Sequence, residues 1–510
     1  DIVISDLPLV SEPVGTEIAV RGLTGGDDAF GWVDLTQATI TFQAAGGTFA
    51  EGITFWTGFG DDTVLIDGTH DSAGTRTITT VNTGLGDDTV FVDLDVTEAN
   101  GTDTSDGVFV LNTQGPWNDY PGISDNDTVL GTDSVGGTYV STLPLIVFGG
   151  QGNDNITGGS GDDILFGDRG RMLSFEDIGG IPTVVEALGS GGPGDVTDGL
   201  IRTPDQVFSV DPDVGGNDVI MGLEGDNILV GGFGNDTITA GAGADLALGD
   251  NGQIDWTPVG DYGAFQTTDL LLGGNDDIRV GDGDNLVAGG FGADVIETGV
   301  GADLILGDNG IFDYTTSTGD VVGYLAGEVQ ITVETADLTA ALARLGVASI
   351  ADLVGMTLEI SMAIADTALG QARQITAQAP GAVAGTTVLT LDAAFVLESG
   401  AAGDILEYLI YSATDTGGVA VLTEASTTDT TAATGGNDVI VGGGGTADNI
   451  VLAGVRDDRV NQPPLAPGDP LPVLSTGVDI VIGDNGFVTW DGAGLMTEFA
   501  SAELNLGGND

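Results

Sequence analysis

Cysteine and lysine are missing from this 510-residue chain, and it has a single histidine. Without cysteine there are no disulfides and no thiolate sites. His70 alone cannot furnish a His-based triad or a nitrogen-liganded zinc site, and its polar surroundings are those of a solvated residue. Positive charge is scarce: ten arginines stand against 78 acidic residues, for a formal net charge of −68. Such a surface excludes nucleic acid as a partner and disfavours anionic membranes. No apolar run approaches twenty residues, so no membrane insertion is expected. The chain opens DIVIS, with neither Met nor a basic stretch, and the expectation is a segment of a larger exported protein.

What is abundant is glycine, 87 residues, beside 41% hydrophobic residues. That apolar content argues for a packed core despite the charge, which by itself would favour disorder. The glycine is periodic. Asp213 to Gly252 divides into nines in which Gly holds the fourth place and Asp or Asn the sixth; Ile220, Leu229, Ile238 and Ala247 hold the eighth. A nine-residue period is no multiple of a helical turn, and Gly at this density opposes helix. A short strand followed by a tight turn fits, with one apolar side chain per strand pointing inward. No single nine buries its side chain alone, so the units must stack into a solenoid.

Two nines make one coil, so same-edge neighbours lie eighteen residues apart: Asp218 with Asp236, and Asn227 with Asp245. Coils about 4.8 Å apart would set unpaired carboxylates in repulsion. A hard cation with oxygen ligands relieves it, and Ca²⁺ suits a flexible oxygen cage better than Mg²⁺. The second block pairs Asp276 with Asp294 and Asn285 with Asp303 in the same way. The two edges therefore differ in charge, and loss of Asp236 should cost more than loss of Asn227.

These residues resemble the repeats-in-toxin (RTX) family, whose pattern is G-G-x-G-x-D-x-U-x; Gly231–Thr239, GGFGNDTIT, matches every place. The resemblance implies a calcium-bound parallel β-roll. The candidate metal ligands are Asp154, Asp163, Asp218, Asn227, Asp236, Asp245, Asp276, Asn285, Asp294, Asp303, Asp438 and Asp479, with Asp62 and Asp88 in the weaker copies TGFGDDTV and TGLGDDTV.

The fold expected is mainly β: parallel β-roll or β-helix blocks with an inserted small α+β or β-barrel-like module. Residues 1–145 read as an irregular β-helix-like region, 146–170 as a short roll, 171–212 as a loop and 213–314 as two roll blocks of 58-residue period. The inserted module spans 315–430, with Leu338, Leu342 and Leu345 at helical spacing, and a divergent roll block fills 431–510. In that block Arg456 takes a Gly place, which counts against metal at Asp457 and Asp458. After each GDNG the carboxylate place falls on Ile254 or Phe312, so the ladder should stop there, the chain should leave the roll and return at the next GGND, and the following aromatics should cover the end of the stack.

No catalytic set stands out. Asp pairs abound, but a general acid needs surroundings that keep it protonated, whereas carboxylates held by Ca²⁺ stay ionised. The sequons at Asn126, Asn155 and Asn235 are products of the repeat grammar. The reading is a calcium-stabilised structural segment of a large secreted surface, adhesin or filament protein, not an enzyme. The rival is the secretion region of an exported RTX hydrolase or toxin. Gly507–Asp510 followed by Asp1–Ile4 would restate Gly273–Val280, so copies of the chain, or further repeats, are the expected partners beside calcium.

Overall fold

The computed structural model describes residues 52–94 with short breaks, 108–113, 125–132, 140–177, 182–189, 195–197, 202–256 and 262–314. It also describes three strands before residue 44, the strands of 319–411, and 422–460 and 480–501 with breaks. The three-residue strands of the nines stack in register. Ile220 lies beside Ile238, then Ile278, Ile296, Ile440 and Val460, all in parallel. Together with the longer coils before residue 145 they make a first sheet of thirteen described strands, from 40–43 to 459–460. The alternate nines make a second sheet of eleven described strands, from 53–56 to 480–482, also parallel.

Between these sheets lies one continuous core. The eighth-place residues Ile156, Ile220, Ile238, Ile278 and Ile296 meet Leu165, Leu229, Ala247, Val287 and Ile305, all buried. This is the β-roll that the repeat implied, built from side chains at a period of two along each strand.

A third layer is where the structure departs from expectation. Residues 171–212 are not simply a loop: strands Gly170–Asp177, Pro182–Leu188 and Gln206–Ser209 begin a further sheet. That sheet continues antiparallel through Gly252–Trp256, Tyr262–Thr267, Gly310–Asp313, Glu424–Thr427, Gly486–Trp490 and Met496–Ser501. The stretches after GDNG therefore do not cover the end of the stack but run along its flank. The reason is visible in the second sheet, where the strands of the nines carry three successive apolar residues: Ile228 and Val230 point away from the inner core, as do Leu246 and Leu248. They need cover, and Met172, Val207, Ile254, Phe265, Phe312, Ala425 and Val488 of the third sheet supply it. Phe265 stacks on Phe312 at 5.9 Å between ring centroids.

The inserted module is a closed six-stranded barrel of 319–324, 330–334, 386–391, 372–380, 357–363 and 406–411. Leu338 is helical and fully buried, a short 3₁₀ turn follows at Ile350–Leu353, and Leu342 and Leu345 lie outside the described residues. At the other end, Ile2–Ser5 enters the roll parallel to 63–66, with Ile2 beside Val64. It is not left open there, since Glu17–Arg21 and then Ile40–Gln43 add antiparallel outside it.

Candidate metal centre

Each coil turns twice, and the two turn edges carry the sixth-place residues. At the edge leading from the second sheet into the first, one carboxylate after another accepts the backbone N–H of the Asp one coil back. The series runs Asp62, Asp88, Asp127, Asp154, Asp218, Asp236, Asp276, Asp294, Asp438, Asp458, with N–H to Oδ1 distances of 2.7–2.9 Å. Nine of its ten members are 2% exposed or less; Asp62, the first, is half-buried.

At Ile254 and Phe312 the chain leaves the roll, as expected, and the ladder resumes without a gap when the chain returns at the next GGND. Asp236 passes directly to Asp276, and Asp294 passes to Asp438, 144 residues later in the chain. The excursions into the third sheet and the barrel leave the stack and return to the same register. Asp458 takes a place in the hydrogen-bonded ladder although Arg456 stands at a Gly place: Arg456 adopts φ 92°, the backbone that Gly ordinarily takes there. Asp127, just before the strand Thr128–Leu130, belongs as well. Asp479 and Asp457 lie outside the described residues.

While Oδ1 is used in the ladder, Oδ2 is not. In Asp154, Asp218, Asp236, Asp276, Asp294 and Asp438 it is buried and has no hydrogen-bond partner among the described residues. These oxygens face a recurring cradle. A Cβ on Gly231 would collide with Asp236 Oδ2 and with the carbonyl oxygen of Gly249, one coil on. The same pair of atoms recurs at Gly149, Gly167, Gly249, Gly289 and Gly307, so the cradle exists only because those places are Gly. Each cradle offers a bare carboxylate oxygen and a carbonyl oxygen. Among the described residues no three acidic or histidine side chains converge on one point, so carbonyls must supply much of any cation's shell. An all-oxygen set of this kind fits Ca²⁺. The residues that would hold it are these Asp together with the turn carbonyls, and the ion would supply the positive charge the turns lack.

Burial drives these carboxyls upward. Asp154, Asp236, Asp276 and Asp438 are held well above the ordinary carboxylate range, first by desolvation and then by the neighbouring ladder carboxylates. On the opposite edge the ladder is Asp163, Asn227, Asp245, Asn285, Asp303, Asn449, with N–H to Oδ1 distances of 3.0–3.2 Å between successive members. Burial raises Asp163 to about 7 and Asp245 to about 6.

Three functional carboxylates were missed: Asp168, Asp250 and Asp308, the Asp of each GD(R/N)G. Each accepts from two backbone N–H groups of later coils. Asp250 takes Gly274 N–H at 2.8 Å and the N–H of Phe291, and Asp168 and Asp308 repeat the arrangement with Gly216 and Phe233, and with Gly436 and Val455. These carboxylates pin the returning chain to the stack. Asp250→Ala would leave the buried Gly274 N–H and the half-buried Phe291 N–H without their acceptor, at roughly 1–3 kcal/mol for the first and less for the second. Asp250→Asn keeps an acceptor oxygen and should lose about half as much, read from denaturant melts in calcium.

A family model for the RTX calcium-binding nonapeptide repeat matches the chain in four stretches: 146–171, 214–247, 272–310 and 426–446. Repeats of this kind bind calcium and typically belong to secreted proteins. No curated protein and no solved structure matches the chain.

Proposed function

We propose that this chain, which carries RTX calcium-binding repeats in four stretches, is a spacer of a large secreted surface, adhesin or filament protein, rigidified by calcium and without catalytic activity of its own. The observation that carries this reading is the unbroken carboxylate ladder, which keeps one register from Asp62 to Asp458 across every insertion. A catalytic site needs one unusual constellation, whereas this chain repeats one cradle at every coil. An outer rail runs beside the ladder. Asn153, Asn217, Asn235 and Asn275 each donate N–H and Nδ2–H to the side-chain oxygen of the preceding rail residue. The flanking sheet and the barrel add bulk without interrupting the stack. Further coils of the same kind, or a second copy stacking on strands 459–460 and 480–482, belong to the same proposal.

Stretching single molecules tethered by their ends tests it. In calcium the roll should resist as a stiff element and give way abruptly; in chelator it should extend like a soft chain. Equal force–extension curves in the two conditions would remove the spacer role.

A further inference from the structure

The two turn edges are built from different chemistry. On the edge leading into the first sheet every ladder place is Asp. On the other edge acid and amide alternate without exception among the described residues, from Asp163 to Asn449.

Each amide has a fixed orientation. The backbone N–H of Asp163 needs an acceptor and finds Asn227 Oδ1 at 3.0 Å, so Nδ2 must face the turn. There it donates to Gly225 O and to Asp245 Oδ1, both at 3.0 Å. Asn285 repeats this two coils further on. Its Oδ1 accepts from Asp245 N–H at 3.0 Å, and its Nδ2 reaches Gly281 O, Gly283 O and Asp303 Oδ1 at 3.0–3.1 Å. The cradles show the exchange of atoms directly. A Cβ on Gly231 would meet Asp236 Oδ2, and one on Gly222 would meet Asn227 Nδ2.

An N–H donor thus stands on this edge where the other has a bare oxygen. It joins turn carbonyls to the next carboxylate, as a cation would, but it adds no charge and needs no ion. The acids of this edge are mostly satisfied too: Asp163 Oδ2 accepts Gly159 N–H, and Asp303 Oδ2 accepts the Thr298 hydroxyl, each at 2.7 Å. Asp245 Oδ2 is the exception among the described residues.

We propose that the chain divides its two turn edges by ligand: calcium loads the all-carboxylate edge, and side-chain amides take its place on the alternating edge. The inference rests on the calcium reading above and assigns which turns use the metal. Its consequence is economy of charge, since the second edge stacks without doubling the number of ions the fold requires.

Two isosteric double variants test it, N227D/N285D on the amide edge and D236N/D276N on the carboxylate edge. Calcium bound at saturation is counted by metal analysis after equilibrium dialysis, and melting is followed in calcium-free buffer at pH 5. N227D/N285D should raise the ion count by about one per substituted turn and lower the calcium-free melting temperature. D236N/D276N should lower the count and raise that melting temperature, so the two variants move both readouts in opposite directions. If the wild type binds calcium and the N227D/N285D count stays at the wild-type value, the division between edges is wrong while the calcium reading stands. A wild type that binds no calcium removes both.

Discussion

Stripping calcium at pH 7.5 should collapse the roll. Along the carboxylate edge, neighbouring ladder residues one strand spacing apart, about 4.8 Å, would repel by about 3–4 kcal/mol per pair at an effective dielectric near 20. Nine such neighbouring pairs follow one another from Asp62 to Asp458. A folded domain is stable by only about 5–15 kcal/mol, so a fully ionised, metal-free ladder outweighs that margin. The amide edge cannot hold the coil by itself. Its strands bury Leu229, Ala247, Val287 and Ile305 against the isoleucines of the first sheet, and the two edges stand or fall through that shared core. Circular dichroism should therefore show most of the β signal lost in chelator and restored when calcium is added back, since the binding energy of the ions is folding energy. A spectrum that chelator leaves unchanged at this pH would overturn the assignment of the cradles.

The roll was legible because its information is local. Gly at the fourth place, Asp or Asn at the sixth and one apolar residue at the eighth specify a turn, a ligand and an inward side chain within nine residues. The third sheet was harder, although half its signal lay in plain view. The strand triplets NIT, TIT and VIE alternate polar and apolar, while ILF, ILV, LAL and LIL are apolar throughout. A strand apolar on both faces needs a layer on each. Which residues form that layer is a matter of distant pairing. Residues 310–313 pair with 424–427 across the whole barrel, and no local periodicity announces it. The GDxG carboxylates escaped for a similar reason: Asp168 finds its partners 48 and 65 residues ahead, in coils that have not yet been laid down when the motif is read. Asp458 keeps a ladder place although Arg456 stands where the pattern has Gly. Arg at a Gly place costs strain, but the stack on one side of it over-determines the turn.

Acid should do part of calcium's work. In the metal-free fold the ladder carboxyls lie above their ordinary value because burial disfavours the charged form; Asp163 reaches about 7 and Asp245 about 6, and Asp236 and Asp276 are raised further by their neighbours. In the unfolded chain the same groups titrate near 3.9. Between those values the folded state binds more protons than the unfolded one. The stability linked to these groups is therefore fully present below about pH 4, begins to be lost near pH 6, and goes on being lost above pH 7 as the more strongly raised carboxyls of the carboxylate edge ionise. Metal-free protein should keep its roll and melt cooperatively at pH 5, whereas at pH 8 little of the roll should be left to melt. Calcium acts with the opposite sign, because its ligands must be ionised, so the rise in melting temperature it produces should be small at pH 5 and large at pH 8. The remaining carboxylates of a chain with net charge −68 also lose charge in acid and push the same way. Salt separates the two contributions: 1 M NaCl screens exposed charges over about 3 Å, whereas the buried ladder is shielded from it. The pH 5 advantage of the metal-free protein should accordingly persist in high salt. A metal-free melting temperature that is higher at pH 8 than at pH 5 would mean that the ladder carboxyls are not the groups that set the stability of the roll.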